Sequence, residues 1–201
     1  FNYCAFHQYG AEMYAQTTNY ALAALEGTGA RLASMPAPTA IGIMVEKEYQ
    51  QKLGCAPQDD IINYMFSCMD EDVVKVDLYS ALVEHNDEYI YYRTDHHWSS
   101  LGAYYAYVEF CNTKGITPIP LSNYNTETYT NFTGTFYTSA GQSSTLEENS
   151  DFVTTYTPFN NHTCTITKDN GQEYDWDIVK DVTDYGNTLK YLTFIGGDNP
   201  L

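Results

Sequence analysis

Asp95, His96, His97 and Trp98 stand side by side in "YIYYRTDHHWSSLGAYYAY", residues 89–107, and hold two of the five histidines of the chain. Imidazole is the side chain best suited to take and return a proton near neutral pH. A carboxylate bonded to its Nδ1–H fixes the tautomer and stabilises the imidazolium that forms when a nucleophile is activated. In an extended segment, residues two apart project to the same side, which is expected to bring Asp95 and His97 together and to turn His96 and Trp98 away. Asp95 and His97 are therefore candidates for the orienting acid and the general base of a hydrolase, with His96 and Trp98 supporting them or touching substrate.

Two other readings compete. Asp and paired histidines are good first-row metal ligands, and DHH phosphoesterases use such a tripeptide after an apolar strand. Those enzymes also need upstream Asp and His clusters, whereas His7, His85 and His162 stand in no such context here. No metal or other cofactor is expected on that ground. The third reading is a buried polar network with the histidines bonded to backbone carbonyls. Four such residues at one junction favour function over that reading.

The elements around the motif read as alternating strand and helix. "YGAEMYAQTTNYALAAL" has helical spacing with Gly27 where it would stop, and "RLASMPAPTAIGIMV" reads as a buried strand ended by Pro36 and Pro38, then a loop and a second apolar piece. "PQDDIINYMFSCM" reads as a helix, "VVKVDL" as a strand running into Asp77, and "EYIYYRT" as the strand that delivers the motif. "SSLGAYYAYVEFCNTKG" is a helix closed by Gly115. The alternation predicts an α/β fold with a largely parallel sheet over residues 1–117, ligands sitting beyond the carboxyl ends of its strands. Residues 118–190 turn rich in Thr, Tyr, Asn and Gly and read as a β-rich insertion containing "GTFYTSA", "DFVTTYTPF" and "CTITK". Residues 191–201 read as a return strand and loop of the core, and a further C-terminal piece is expected beyond Leu201.

Composition excludes some partners. With 26 acidic against 9 basic residues the net charge is −17, which argues against nucleic acid and anionic membrane surfaces. No apolar run is long enough to span a bilayer. The five cysteines show no CxxC pair and no zinc-ligand spacing, and Cys111 reads as a buried small hydrophobe on a helix. Among 20 tyrosines, Tyr92, Tyr104, Tyr105 and Tyr137 could stack on sugar rings or simply pack. Arg93 could clamp a carboxylate or pair on the flank of a strand. Asn199 could offer its amide to an oxyanion or serve as a turn residue. Asp77 is explained more simply as a helix cap.

"EYIYYRTDHHWSSLGAYYAYVEFC", with "GTFY", "YTPF" and "YLTFIGGDNP", resembles the family named for its DHHW motif, found largely in Gram-positive bacteria and regarded as exported. That family is similar in turn to alginate O-acetylation proteins of the SGNH hydrolase superfamily. The resemblance implies a three-layer SGNH-like domain at the cell surface or outside the cell. It implies an Asp95 that orients, a His97 that acts as base, and a following Trp98 that packs. The implied activity is a serine esterase or O-acetyltransferase acting on a carbohydrate or other acylated substrate. The serine of such families lies C-terminal to the motif, beyond the GGDNP turn, so it is expected beyond residue 201. Ser143 in "GQSS" carries no mark of activation. The alternative is a non-catalytic surface protein that binds carbohydrate.

Overall fold

Backbone polar groups must find partners wherever a segment is buried, and the computed structural model, which describes residues 4–159 and 163–196, shows where each segment finds them. The chain divides by its contacts into two units, Phe1–Tyr91 with Leu101–Pro118, and Tyr92–Ser100 with Ile119–Leu201.

The first unit is mostly helical. Helix α1 (Gln8–Ala24) opens at His7, whose Nδ1 accepts the Gly10 N–H at 3.0 Å, and the chain turns away at Gly27 with φ of 76°. Its buried face is small, Ala11 and Ala15, while Met13, Tyr14 and Tyr20 stay exposed. After the two-residue strand β1 (Ala33–Ser34) come the short helices α2 (Ala40–Met44), α3 (Lys47–Lys52) and α4 (Gln58–Ser67). Ala15 packs with Met69 and Val73, joined by Leu22, Met65 and Phe66, so that α1 lies on α4. Strand β2 (Val74–Lys75) pairs in parallel with β1. Asp77 caps α5 (Leu78–Val83) through the Ser80 N–H at 3.1 Å. Helix α6 (Ser100–Lys114) buries Gly102, Ala106 and Cys111 and closes at Gly115, φ 66°.

The second unit holds a short 3₁₀ turn (Leu121–Asn123), strand β3 (Asn125–Phe132), helices α7 (Thr135–Ser139) and α8 (Ser144–Glu148), and strand β4 (Asp151–Thr157). A hairpin of β5 (Thr163–Thr167) and β6 (Glu173–Asp177) follows, turning at Gly171, and then a 3₁₀ segment over Asn187–Thr193. Strands β3 and β4 are antiparallel, with a register shift between Tyr129 and Phe132 where Asn131 takes φ of 62°. Asp151, Val153 and Thr155 of β4 alternate inward.

The fold is mixed α/β, but the largely parallel sheet expected from the alternation is represented, among the described residues, by β1–β2 alone; β3–β4 and β5–β6 are antiparallel pairs. Three segments depart from their expected form. "EYIYYRT" is buried at Ile90, Tyr91 and Tyr92 yet is no strand, because the N–H groups of Arg93 and Thr94 are taken by the Asp151 carboxylate and that of Tyr92 by the His97 carbonyl. "GTFYTSA" is helical as α7 rather than β, and residues 191–193 belong to a 3₁₀ turn rather than a return strand. By its contacts the DHHW stretch groups with residues 119–196, not with the helices that precede it in sequence. Among the described residues no helix is long and apolar enough to cross a membrane.

Candidate active site

The turn that carries the motif hangs from Asp151. The buried Asp151 carboxylate accepts the Thr94 N–H at 2.7 Å, the Thr94 hydroxyl at 2.5 Å and the Arg93 N–H at 3.0 Å. Thr94 passes this anchorage to α7. Its hydroxyl accepts the Gly134 N–H at 3.0 Å, and its carbonyl accepts the Phe136 N–H at 2.9 Å. The first turn of α7, whose N–H groups have no partner within a helix, is thereby satisfied by the motif segment.

Asp95 sits next in this frame, 3 % exposed. One carboxylate oxygen, Oδ1, accepts both the His97 N–H at 2.9 Å and the His97 ring at Nδ1, 2.6 Å away. The other, Oδ2, accepts the Thr135 N–H at 2.8 Å. Burial pushes the Asp95 carboxyl up, but the Thr135 and His97 N–H groups, followed by the His97 ring, outweigh it and hold the group below its ordinary range. Asp95 is therefore an anion wherever imidazole ordinarily titrates, so Nδ1 of His97 carries the proton of that bond and Nε2 is the nitrogen left for proton transfer.

The ring of His97 is fixed by stacking as well as by hydrogen bonding. Tyr191 lies against it with centroids 4.7 Å apart and planes at 18°, and Tyr191 in turn packs on Tyr92, Phe132 and Phe194. His96 is on the other contact, 3.8 Å from His97, its Nδ1 hydrogen-bonded to the Thr135 hydroxyl at 2.7 Å. A cavity of about 430 Å³ opens here, walled by Asp95, His96, His97, Phe132 and Tyr191 and by the hydroxyl-bearing Thr133, Thr135, Thr138, Ser139 and Thr188.

Asp95 and His97 meet as the spacing suggests, but through a tight turn closed by the Asp95 side chain onto the His97 N–H, not through extended backbone. For that reason His96 does not turn away; it shares the cavity. Trp98 is half-buried and Tyr137 half-buried on α7, and neither lines the cavity. Tyr92 is 3 % exposed and packs on Phe132, which leaves no ring face for a sugar. Arg93 is committed to β4 and its flank, Nε at 3.3 Å from Asp151 and Nη2 donating to the Ser150 carbonyl, and so is not a clamp in the cavity. Tyr104 and Tyr105 belong to α6. Ser143 precedes α8 and is not a cavity residue, whereas Ser139 is. Asn199 lies outside the described residues. Asp151, Gly134, Thr135 and Tyr191 are the site residues that sequence reasoning missed; only the glycine of "GTFY" left a signal.

That glycine is needed for close approach. A Cβ at Gly134 would lie 2.3 Å from both Cβ and Oδ2 of Asp95. Gly134→Ala is expected to lower the unfolding free energy by about 2 kcal/mol, as overpacking in a tight site does, and to pull Asp95 from His97. A urea melt and the His97 ring resonances check this; unchanged values in both would mean that α7 can retreat freely.

The family described as DHHW protein matches the chain over residues 1–201. No curated protein matches it. A DHHW family protein from Eubacterium siraeum is 31 % identical with a TM-score of 0.83, the alignment covering 98 % of this chain and 63 % of that one. PatB1 of Bacillus cereus with a sulfonyl adduct is 19 % identical with a TM-score of 0.73, covering 98 % and 66 %. A second PatB1 structure is 20 % identical at 0.72, covering 98 % and 69 %. The chain thus spans about two thirds of the length of these solved relatives, and the likeness to PatB1 is one of fold. With the family match running from end to end and its namesake residues forming the turn around Asp95 and His97, this chain belongs to the DHHW family.

Proposed function

We propose that the protein is an exported SGNH-like serine esterase or O-acetyltransferase that acts on an acylated carbohydrate at or outside the cell surface. The observation that carries this reading is the 2.6 Å bond between Asp95 Oδ1 and His97 Nδ1 at the wall of a cavity. Nε2 of His97 takes the proton of a serine hydroxyl as that oxygen attacks the acyl carbonyl, and Asp95 holds the tautomer and balances the imidazolium. The proton then goes to the departing alkoxide, leaving an acyl-serine. Water or a sugar hydroxyl, deprotonated by the same nitrogen, resolves it. The serine is assigned to sequence following residue 201, in a three-layer domain of which this chain forms the larger part. A sulfonyl adduct on PatB1 supports the reading, since such groups are captured by activated nucleophiles. Hydroxyl-lined walls suit a neutral polyol substrate. The test is cleavage of small acetyl esters by the full natural chain, with Asp95 and His97 substituted in turn.

A second reading rests on a different observation. One ligand atom each from Asp95, His96 and His97 lies within 4.8 Å of the others, a set that could hold a metal ion. A metal between Asp95 and His97 would have to replace their hydrogen bond. Protein purified without chelator is therefore expected to contain no stoichiometric manganese or zinc by elemental analysis. One metal per chain, lost in His96→Ala, would replace the serine-esterase or acyltransferase reading with a metal-dependent phosphoesterase-like one.

A further inference from the structure

We propose that Cys4 and Cys55 form a disulfide that ties the segment before α1 to the segment before α4. Ala56 donates its N–H to the Cys4 carbonyl at 2.8 Å, so the residue following one cysteine is bonded to the main chain of the other. A peptide hydrogen bond in that position brings the two α-carbons toward the separation that a disulfide spans, about 4.4–6.8 Å. Both thiols are free, Cys4 half-buried and Cys55 buried. Cys4 is the accessible partner and Cys55 the sheltered one, an order that suits stepwise closure.

The other cysteines are placed differently. Cys68 caps the opposite end of the ten-residue α4, about 15 Å along that helix. Cys111 is buried in α6, and Cys164 faces Trp176 across the β5–β6 hairpin. The segment before α1 and the start of α1 also meet α4 further along its length, with Phe6 edge-on to Tyr64 at 5.4 Å and Gln8 donating to the Tyr64 hydroxyl.

The chemistry is exchange with an oxidised dithiol or a small disulfide. The Cys4 thiolate attacks that disulfide and releases one thiol; the Cys55 thiolate then attacks the Cys4 sulfur and releases the second. One sulfur–sulfur bond forms, one is reduced, and the two protons end on the released thiols. Burial, and after it the neighbouring Cys55, pushes the Cys4 thiol up, so closure is expected to quicken as pH rises. The inference does not depend on the hydrolase reading, because neither cysteine belongs to the cavity.

The experiment oxidises the full natural chain with glutathione disulfide and compares it with chain kept in phosphine reductant. Of the five cysteines here, the linkage should consume Cys4 and Cys55, and peptide mapping without reduction should recover those two joined. The oxidised form should melt roughly 5–10 °C above the reduced form, and Cys4→Ser should abolish that difference. Should Cys55→Ser fold poorly for want of its buried thiol, Cys4→Ser at the half-buried position gives the same answer. Free Cys4 and Cys55 after oxidation, peptides joined through other cysteines, or a redox-dependent melt that survives Cys4→Ser would each overturn the inference.

Discussion

In the full natural chain, His97→Ala and Asp95→Asn are each expected to remove about 10⁴-fold of the turnover of a small acetyl ester, the loss seen when a serine hydroxyl loses its base or the base is held in the wrong tautomer. The two variants fail for different reasons. Alanine at 97 deletes the proton acceptor and leaves the Asp95 turn and the Thr135 N–H contact in place. Asparagine at 95 has one carbonyl oxygen where the carboxylate uses two, one for His97 and one for the Thr135 N–H. Whichever contact keeps the oxygen, the other meets an amide NH₂, and an NH₂ facing Nδ1 selects the imidazole with its proton on Nε2. That tautomer cannot accept a proton from serine.

Stability and catalysis separate through pH. Asp95 is held below the ordinary carboxyl value of 3.8, so its contribution to stability is complete above that value and is lost as pH falls through the lower folded one. Asp95→Asn should therefore flatten the acid limb of the stability curve, while His97→Ala, which keeps the Asp95 bonds to backbone N–H, should retain most of it. Equal background hydrolysis by wild type and both variants would favour a protein that binds surface carbohydrate without chemistry.

How far the site was legible follows from where its parts lie along the chain. Asp95 and His97 could be paired from sequence because the contact is local, and local contacts need only a spacing and a backbone state. The backbone state was nonetheless misread. Extended geometry would have sent His96 outward, whereas the turn brings its ring centroid to 3.8 Å from that of His97, the planes tilted by 36°. Partners from distant segments left no periodic trace: Asp151 is 57 residues from Thr94, and Tyr191 follows a stretch with no apolar repeat. The same cause explains α7. Its threonines and aromatics favour a strand by propensity, but Gly134 lets the chain pass against Asp95, and the N–H groups that follow find acceptors in Asp95 and Thr94. Tertiary hydrogen bonding decides that segment. The parallel-sheet expectation failed similarly, since "EYIYYRT" meets its backbone needs with a side-chain carboxylate in place of a neighbouring strand.

That substitution of carboxylate for strand makes Asp151 the residue whose loss should cost the fold most. Its side chain is fully buried, and it receives two main-chain N–H groups and the Thr94 hydroxyl, with Arg93 Nε at 3.3 Å. The Arg93 side chain is 55 % exposed, so its ion pair adds little. The weight lies in the charge-assisted bonds to Thr94, which is itself 0 % exposed. Asp151→Ala strands those donors away from water and leaves a cavity, an expected loss of about 3 kcal/mol in urea unfolding. Asp151→Asn keeps one acceptor and should lose about half as much. A loss below about 1 kcal/mol for the alanine variant would mean that water replaces the carboxylate easily and that the turn is held from elsewhere. The consequence for chemistry is specific. Thr94 is what α7 hangs from, through the N–H groups of Gly134 and Phe136, and α7 is what carries the Thr135 N–H to Asp95. An Asp151→Ala protein that still folds should therefore turn over ester slowly, because the Asp95–His97 pair loses its fixed geometry even where the cavity walls from β3 and the 3₁₀ segment persist.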